Sequence, residues 1–202
     1  MHQRSEKLSS LSPYRYYLKT DAIGPTMKPL FLVLALLYAS AVQAASLSLD
    51  DVLAETPSLD TALPKPEQIT GVKVGERHWY HYEIVNYLEA LAEASPRMVA
   101  LGEHARTYGG RPLVSDAISS PENLARLAQI KAARASIIDP DTKVSLKNQP
   151  AVLHMMYSIH GNEPSGANAT PLVAYYLNAA QDEALLAQLN DVVIIFNPML
   201  NP

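Results

Sequence analysis

Apolar positions recur along this chain in blocks of different period, and each change of period marks a change of element. In "HYEIVNYLEALAEAS", Ile84, Val85, Leu88, Leu91 and Ala92 fall at i, i+1, i+4, i+7 and i+8, one stripe of an amphipathic helix that stops before Pro96. "MVALGEHARTYGGRPLVSDAISS" then gives two short extended runs on either side of Gly109-Gly110, a β-hairpin with glycine supplying the turn. In "PENLARLAQIKAARASI", Leu124, Leu127 and Ile130 recur at helical spacing, Ser120 is placed to cap, and Pro121 suits a first-turn position. "DPDTKVSLKNQP" is polar and reads as a loop.

Residues 151–159, "AVLHMMYSI", form an apolar run without clean alternation, the pattern of a central strand buried on both faces. "SGANATPLVAYYLNAA" and "DEALLAQLN" are helical, with Pro171 bending or offsetting the first, and "DVVIIFNPML" is again a buried strand. Strand, turn, helix, helix, strand is the βαβ arrangement of an α/β protein. The expected fold is a three-layer α/β/α domain with a mixed, largely parallel central sheet. A buried strand running to the last residue reads as about half of such a domain.

Upstream of this region the pattern is different. "MKPLFLVLALLYASAVQA", from Met27, sets a Lys before an apolar segment from Leu30 to about Val42, followed by small side chains up to Ala44. That is the layout of a secretory signal cleaved after Ala44, with translation starting at Met27. A membrane anchor is the alternative, but the apolar run is shorter than the roughly 20 residues a bilayer needs. Residues 1–44 are therefore set aside as upstream extension plus signal. Residues 45–71, with "TPSLDTALPKPEQITG", have no sustained period and read as an extended leader, and 72–202 carry the domain.

Composition narrows the chemistry. The net charge is −4, and residues 1–44 hold five of the sixteen basic and two of the twenty acidic side chains, so the remainder carries −7. An acidic domain without a Lys/Arg cluster argues against nucleic acid as partner. The chain has no Cys, so any metal must be held by His and carboxylate.

The candidate for that role is "MMYSIHGNEPSG", where His160 and Glu163 follow the apolar strand. In open α/β sheets ligands bind beyond the carboxyl ends of strands. A His and a Glu three apart around a tight turn can offer one nitrogen and one carboxylate to a tetrahedral Zn2+. A catalytic zinc takes three protein ligands, so a third must come from elsewhere. The competing reading is a His ending a strand and a Glu at a helix N-terminus, where its charge suits the dipole.

"SIHGNEPSG" at a strand end, with "SPR" (Ser95 to Arg97), "TYGGRPL" and "ISSPENL" upstream and "FNPMLNP" downstream, resembles the zinc carboxypeptidase family over about residues 72–202. The resemblance implies that His160 and Glu163 are the first two zinc ligands, the Glu binding metal and not acting as general base. It implies a metal-assisted hydrolysis of C-terminal peptide bonds in peptides or proteins, cell-wall peptides among them, by an exported enzyme with no stable membrane anchor once its signal is removed. It also implies that the third ligand, a His, lies downstream of Pro202, together with an oxyanion-stabilising Arg, the Asn/Arg pair and Tyr that grip the terminal carboxylate, and the Glu that acts as base. Residues 1–202 alone are then expected to be inactive. Asn162 stands where some members have Arg. "HGNE" also resembles the zinc aminoacylases that cleave N-acyl amino acids, and a non-catalytic exported binding module is a reading from a third class.

Other residues have quieter readings. His78 and His81 in "HWYH" lie in a polar stretch at the start of a helix, without an acidic or His partner at metal-site spacing. His154 reads as a satisfied core histidine, His104 as a surface residue, Arg111 as an ion-pair or turn contact, and Tyr175 and Tyr176 as core side chains more than a substrate platform.

Overall fold

Residues 48–55, 58–139, 141, 145 and 147–202 are described by a computed structural model. The segment from Met27 to Ala44, expected to be a secretory signal, and the residues before it lie outside the described residues, as does part of the polar loop after Asp139. The described chain forms helices α1 (Leu49–Val52), α2 (Pro66–Thr70) and α3 (His81–Ala94), strands β1 (Met98–Arg106) and β2 (Pro112–Ile118), and helices α4 (Pro121–Ala125) and α5 (Leu127–Ala135). Strand β3 (Ala151–Met156), helices α6 (Pro164–Ala179) and α7 (Glu183–Asp191), and strand β4 (Val192–Asn197) follow.

The four strands stand in the order β1-β2-β4-β3. The sheet is mixed, as the α/β reading requires: β3 and β4 are parallel, with Leu153 opposite Ile194 and Met156 opposite Asn197, while β1–β2 and β2–β4 are antiparallel. The parallel part is thus the smaller part, because the hairpin supplies two of the four strands. The hairpin turn closes through Gly110 N–H to the Thr107 carbonyl at 2.9 Å and Thr107 N–H to the Arg111 carbonyl at 3.0 Å. Gly110 has φ of 78°, a left-handed value that suits glycine.

Helix α3 follows its stripe: Ile84, Val85, Leu88 and Leu91 are buried, and they join Ile118, Ile194, Phe196, Ala174 and Tyr175 in the core. Helix α6 holds Pro171 in its interior. A proline at that place cannot bond the Ala167 carbonyl, and the Thr170 hydroxyl donates to that carbonyl at 2.7 Å instead.

Two expectations are corrected. The segment 45–71 is not simply an extended leader. Ser48 and Asp51 form a capping box that starts α1, Pro66 occupies the first turn of α2, and Leu49 and Leu63 are sealed into the core, so the described residues from Ser48 onward pack as one unit. Nor is β3 buried on both faces among the described residues: β4 is its described strand neighbour, and Val152, Leu153 and Met156 are exposed, Met156 by 48%.

The motif blocks around Ser95 and Ser119 act as polar locks. The Arg97 guanidinium donates to the Asn178 and Ala180 carbonyls at 2.9 and 2.7 Å, where α6 ends and its dipole favours a cation. Ser119 donates through its hydroxyl to the Val192 carbonyl at 2.6 Å, and the Asn123 amide donates to the Asn190 carbonyl at 2.8 Å. Ser120 caps α4 as its position before Pro121 predicts. These bonds fix where β4 begins, and so where its carboxyl end points.

Candidate functional site

The parallel strands β3 and β4 end side by side, and their pairing continues beyond both. Tyr157 N–H donates to the Asn197 carbonyl at 3.2 Å, Leu200 N–H to Tyr157 at 3.0 Å and Asn201 N–H to Ser158 at 3.1 Å. The chain must then leave the sheet, and Ser158 does so with φ of 51°. Glu163 N–H closes the next turn on the His160 carbonyl at 2.7 Å. A Cβ on Gly161 would stand 3.0 Å from the Asn201 carbonyl oxygen, so a side chain here would press on the loop after β4, and glycine lets the turn lie close against it. Pro164 occupies the first turn of α6, with Glu163 just before it.

His160 and Glu163 are therefore brought to the carboxyl end of β3, as the sequence predicts. Both are exposed. A neutral imidazole nitrogen and a carboxylate oxygen are donor types that zinc accepts. Among the described residues no group of three His, Cys, Asp or Glu side chains stands close enough to enclose a metal.

Beside the turn lies a cleft of about 590 Å3, lined by Tyr80, His81, Arg111, Gly161, Asn168 and Asn201 among others. Its walls are tied together by polar bonds. The Trp79 N–H donates to Asn168 Oδ1 at 2.7 Å, and the Asn168 amide donates to the Pro164 carbonyl at 2.9 Å, fixing the start of α3 to the start of α6. Arg77 grips buried Glu83 with both guanidinium nitrogens, at 2.9 and 2.6 Å, and holds its carboxyl below the usual range. The same guanidinium stands 4.7 Å from the Tyr80 ring centre, and Tyr80 stacks on Tyr82 at 5.8 Å.

The other described histidines stay outside the candidate metal pair. His81 Nε2 donates to the Pro112 carbonyl at 2.9 Å, and burial lowers its basicity. His78 is exposed. His154 Nε2 bonds to Asn197 Oδ1, so it is satisfied, but it is exposed on β3 and not in the core. Asn197 in turn donates to the Ser115 hydroxyl at 2.6 Å, and Ser115 stands 3.0 Å from His104 Nδ1. One polar chain thus crosses all four strands near the site. Arg111 reaches the Pro202 carbonyl at 3.0 Å, a turn contact that joins the hairpin tip to the loop after β4.

Sequence reasoning gave no role to Asn168, Asn197 or the Tyr80–Tyr82 stack. Each acts across elements distant in the chain or outside any periodic segment, so no local pattern marks it. Tyr175 is sealed in the core and Tyr176 partly buried, as core side chains.

A family described as zinc carboxypeptidase matches residues 84–202, a span that contains β1 to β4 and the His160–Glu163 turn. No curated protein and no solved structure matches the chain.

Proposed function

The chain belongs to the zinc carboxypeptidase family, and from that premise we propose that it carries the first two metal ligands, His160 and Glu163, of a zinc-dependent carboxypeptidase acting on C-terminal peptide bonds. One observation carries this reading: the turn closed by Glu163 N–H on the His160 carbonyl, pinned by Gly161 against Asn201, stands at the carboxyl ends of the two parallel strands with both side chains exposed.

Zinc bound there supplies Lewis acidity toward a scissile carbonyl and a water of lowered pKa. The protein's own part is positional. His160 offers a neutral imidazole nitrogen, Glu163 a carboxylate, and the Gly161 turn sets their separation. The cleft between α3, the hairpin tip and α6 gives a peptide end room beside them. In this reading the third ligand and the general base come from residues outside 1–202, and the substrates are peptide or protein C-termini, cell-wall peptides among them.

Zinc titration by calorimetry tests the ligand assignment without relying on catalysis. The expected result is saturable one-to-one binding that weakens by about tenfold or more in His160→Ala and again in Glu163→Gln, at least the loss seen when an outer-shell partner is removed. Measured in a chain that also carries the third ligand, binding unchanged in both variants would sink the assignment.

The export reading rests on the Met27–Ala44 pattern, and the acidic balance separately points away from nucleic acid as partner. Among the described residues no helix is long and apolar enough to cross a membrane. N-terminal sequencing of the protein recovered from a host's periplasm is expected to begin at Ala45. A product that keeps Met27 would refute cleavage.

A further inference from the structure

A second cavity lies apart from the His160–Glu163 turn, between α3 and the β1–β2 hairpin, with a volume of about 140 Å3. Its walls include Val85, Leu88 and Val114, and three carboxylates line it: Glu89 from α3, Glu103 from β1 and Asp116 from β2. Glu89 and Glu103 are exposed, which places them at the mouth. Asp116 is only 3% exposed, which places it at the floor.

Asp116 is the anomaly. It sits opposite Phe196 in the sheet register, on the face that packs into the core, and its Oδ2 is sealed from solvent without a hydrogen-bond partner. A buried carboxyl group in that condition costs free energy unless it is neutralised. No Lys, Arg or His lines the cavity. The charged groups that face it, Glu89 and Glu103, are both acidic, and Glu103 is already paired with Arg106. Asp116 therefore has no internal counter-charge, while the apolar walls suit a hydrocarbon stem.

We propose that this cavity binds one organic cation, an alkylammonium or guanidinium group on an aliphatic stem, with the stem against Val85, Leu88 and Val114 and the charge on Asp116. This is the chemistry of a lysine or arginine side chain presented by a polypeptide, and equally of a free amine. The mouth carboxylates attract the cation by long-range charge, and Asp116 holds it in a site where water is scarce. The site is independent of the zinc reading and stands or falls separately.

Calorimetric titration of the whole chain at pH 8 tests it, with three probes: n-butylammonium, Nα-acetyl-lysine-N-methylamide and its neutral isostere Nα-acetyl-norleucine-N-methylamide. Saturable binding of the lysine probe is expected, with the norleucine probe weaker by about tenfold or more, the range for a hydrogen bond to a charged group. Butylammonium equal to the lysine probe assigns the site to free amines, and a clear preference for the lysine probe assigns it to side chains. Asp116→Asn keeps the shape and is expected to abolish the discrimination against norleucine, whereas Glu89→Gln, at the exposed mouth, leaves it in place and weakens binding modestly, more at low salt.

Affinity should also fall as the pH drops below about 7, where burial and the neighbouring Glu89 charge keep Asp116 protonated. Absence of saturable binding in the parent chain, equal binding of the norleucine probe, or full retention of discrimination in Asp116→Asn would each overturn the proposal.

Discussion

The core face of the sheet and the carboxyl end of β3 are built from the same strands and have opposite characters. Beneath α3 and α6, Ile118, Ile194 and Phe196 are sealed against Leu88, Leu91 and Tyr175, and Phe196 is fully buried. At the end of β3, His160, Gly161, Asn162 and Glu163 are all exposed, and Val152 and Met156 stand open on β3. The difference separates two tasks. The sealed face supplies the rigidity that fixes where the strands end, and the exposed end keeps its donor groups free of structural duty.

The largest effect that would break this comparison belongs to the sealed face. Phe196→Ala should lower unfolding stability by about 3–5 kcal/mol through lost transfer and a residual cavity, read by denaturant unfolding with an unchanged slope. A loss below about 1 kcal/mol would mean the face is less tightly packed than the burial implies.

Next comes the charge inside that face. Burial, with Glu89 nearby, raises Asp116 from 3.8 to about 7, so the folded protein keeps a proton that the unfolded chain has released. Stability from this group is fully present below about pH 4 and falls as the pH rises through about 7, by a total of about 4 kcal/mol. His81, whose pKa burial lowers, acts with the opposite sign below its usual 6.5. The difference between the parent chain and Asp116→Asn across pH 5 to 8 isolates the aspartate. A difference that does not change with pH would remove Asp116 from the account.

The smallest effect sharpens the comparison from the other side. His160→Ala and Glu163→Gln, measured without metal, should change stability by no more than about 0.5 kcal/mol, as exposed side chains free of structural bonds do. A loss near 2 kcal/mol in either would show that the turn depends on them for its fold.

Much of this architecture was legible in the chain. The i, i+4, i+7 stripe of α3, the Gly109-Gly110 hairpin and the Ser120-Pro121 helix start are each written within one turn or one pair of strands, where backbone geometry answers directly to local sequence. The turn that carries His160 and Glu163 was legible for the same reason, since a strand, a tight turn and a helix start lie consecutively. Residues 48–70 were misread because capping boxes and single-turn helices carry too few residues to show a period.

What only the tertiary structure decided is where these pieces stand relative to one another. An apolar run such as "AVLHMM" gives no sign of whether a strand is central or at an edge, because strand order is set by pairings between residues far apart in sequence. Nor can a strand residue announce whether the core face or the open one will claim it when its neighbours are mixed. Asp116 in "LVSDAIS" therefore looks like an ordinary polar residue until the β2–β4 register places it opposite Phe196. The sequence by itself determined the elements, the acidic and cysteine-free composition, and the His160–Glu163 turn at a strand end. Folding decided that Gly161 and Pro164 of that turn border a cleft between α3, the hairpin and α6, and that one carboxyl group is buried without a partner, because both depend on packing between segments that no local pattern connects.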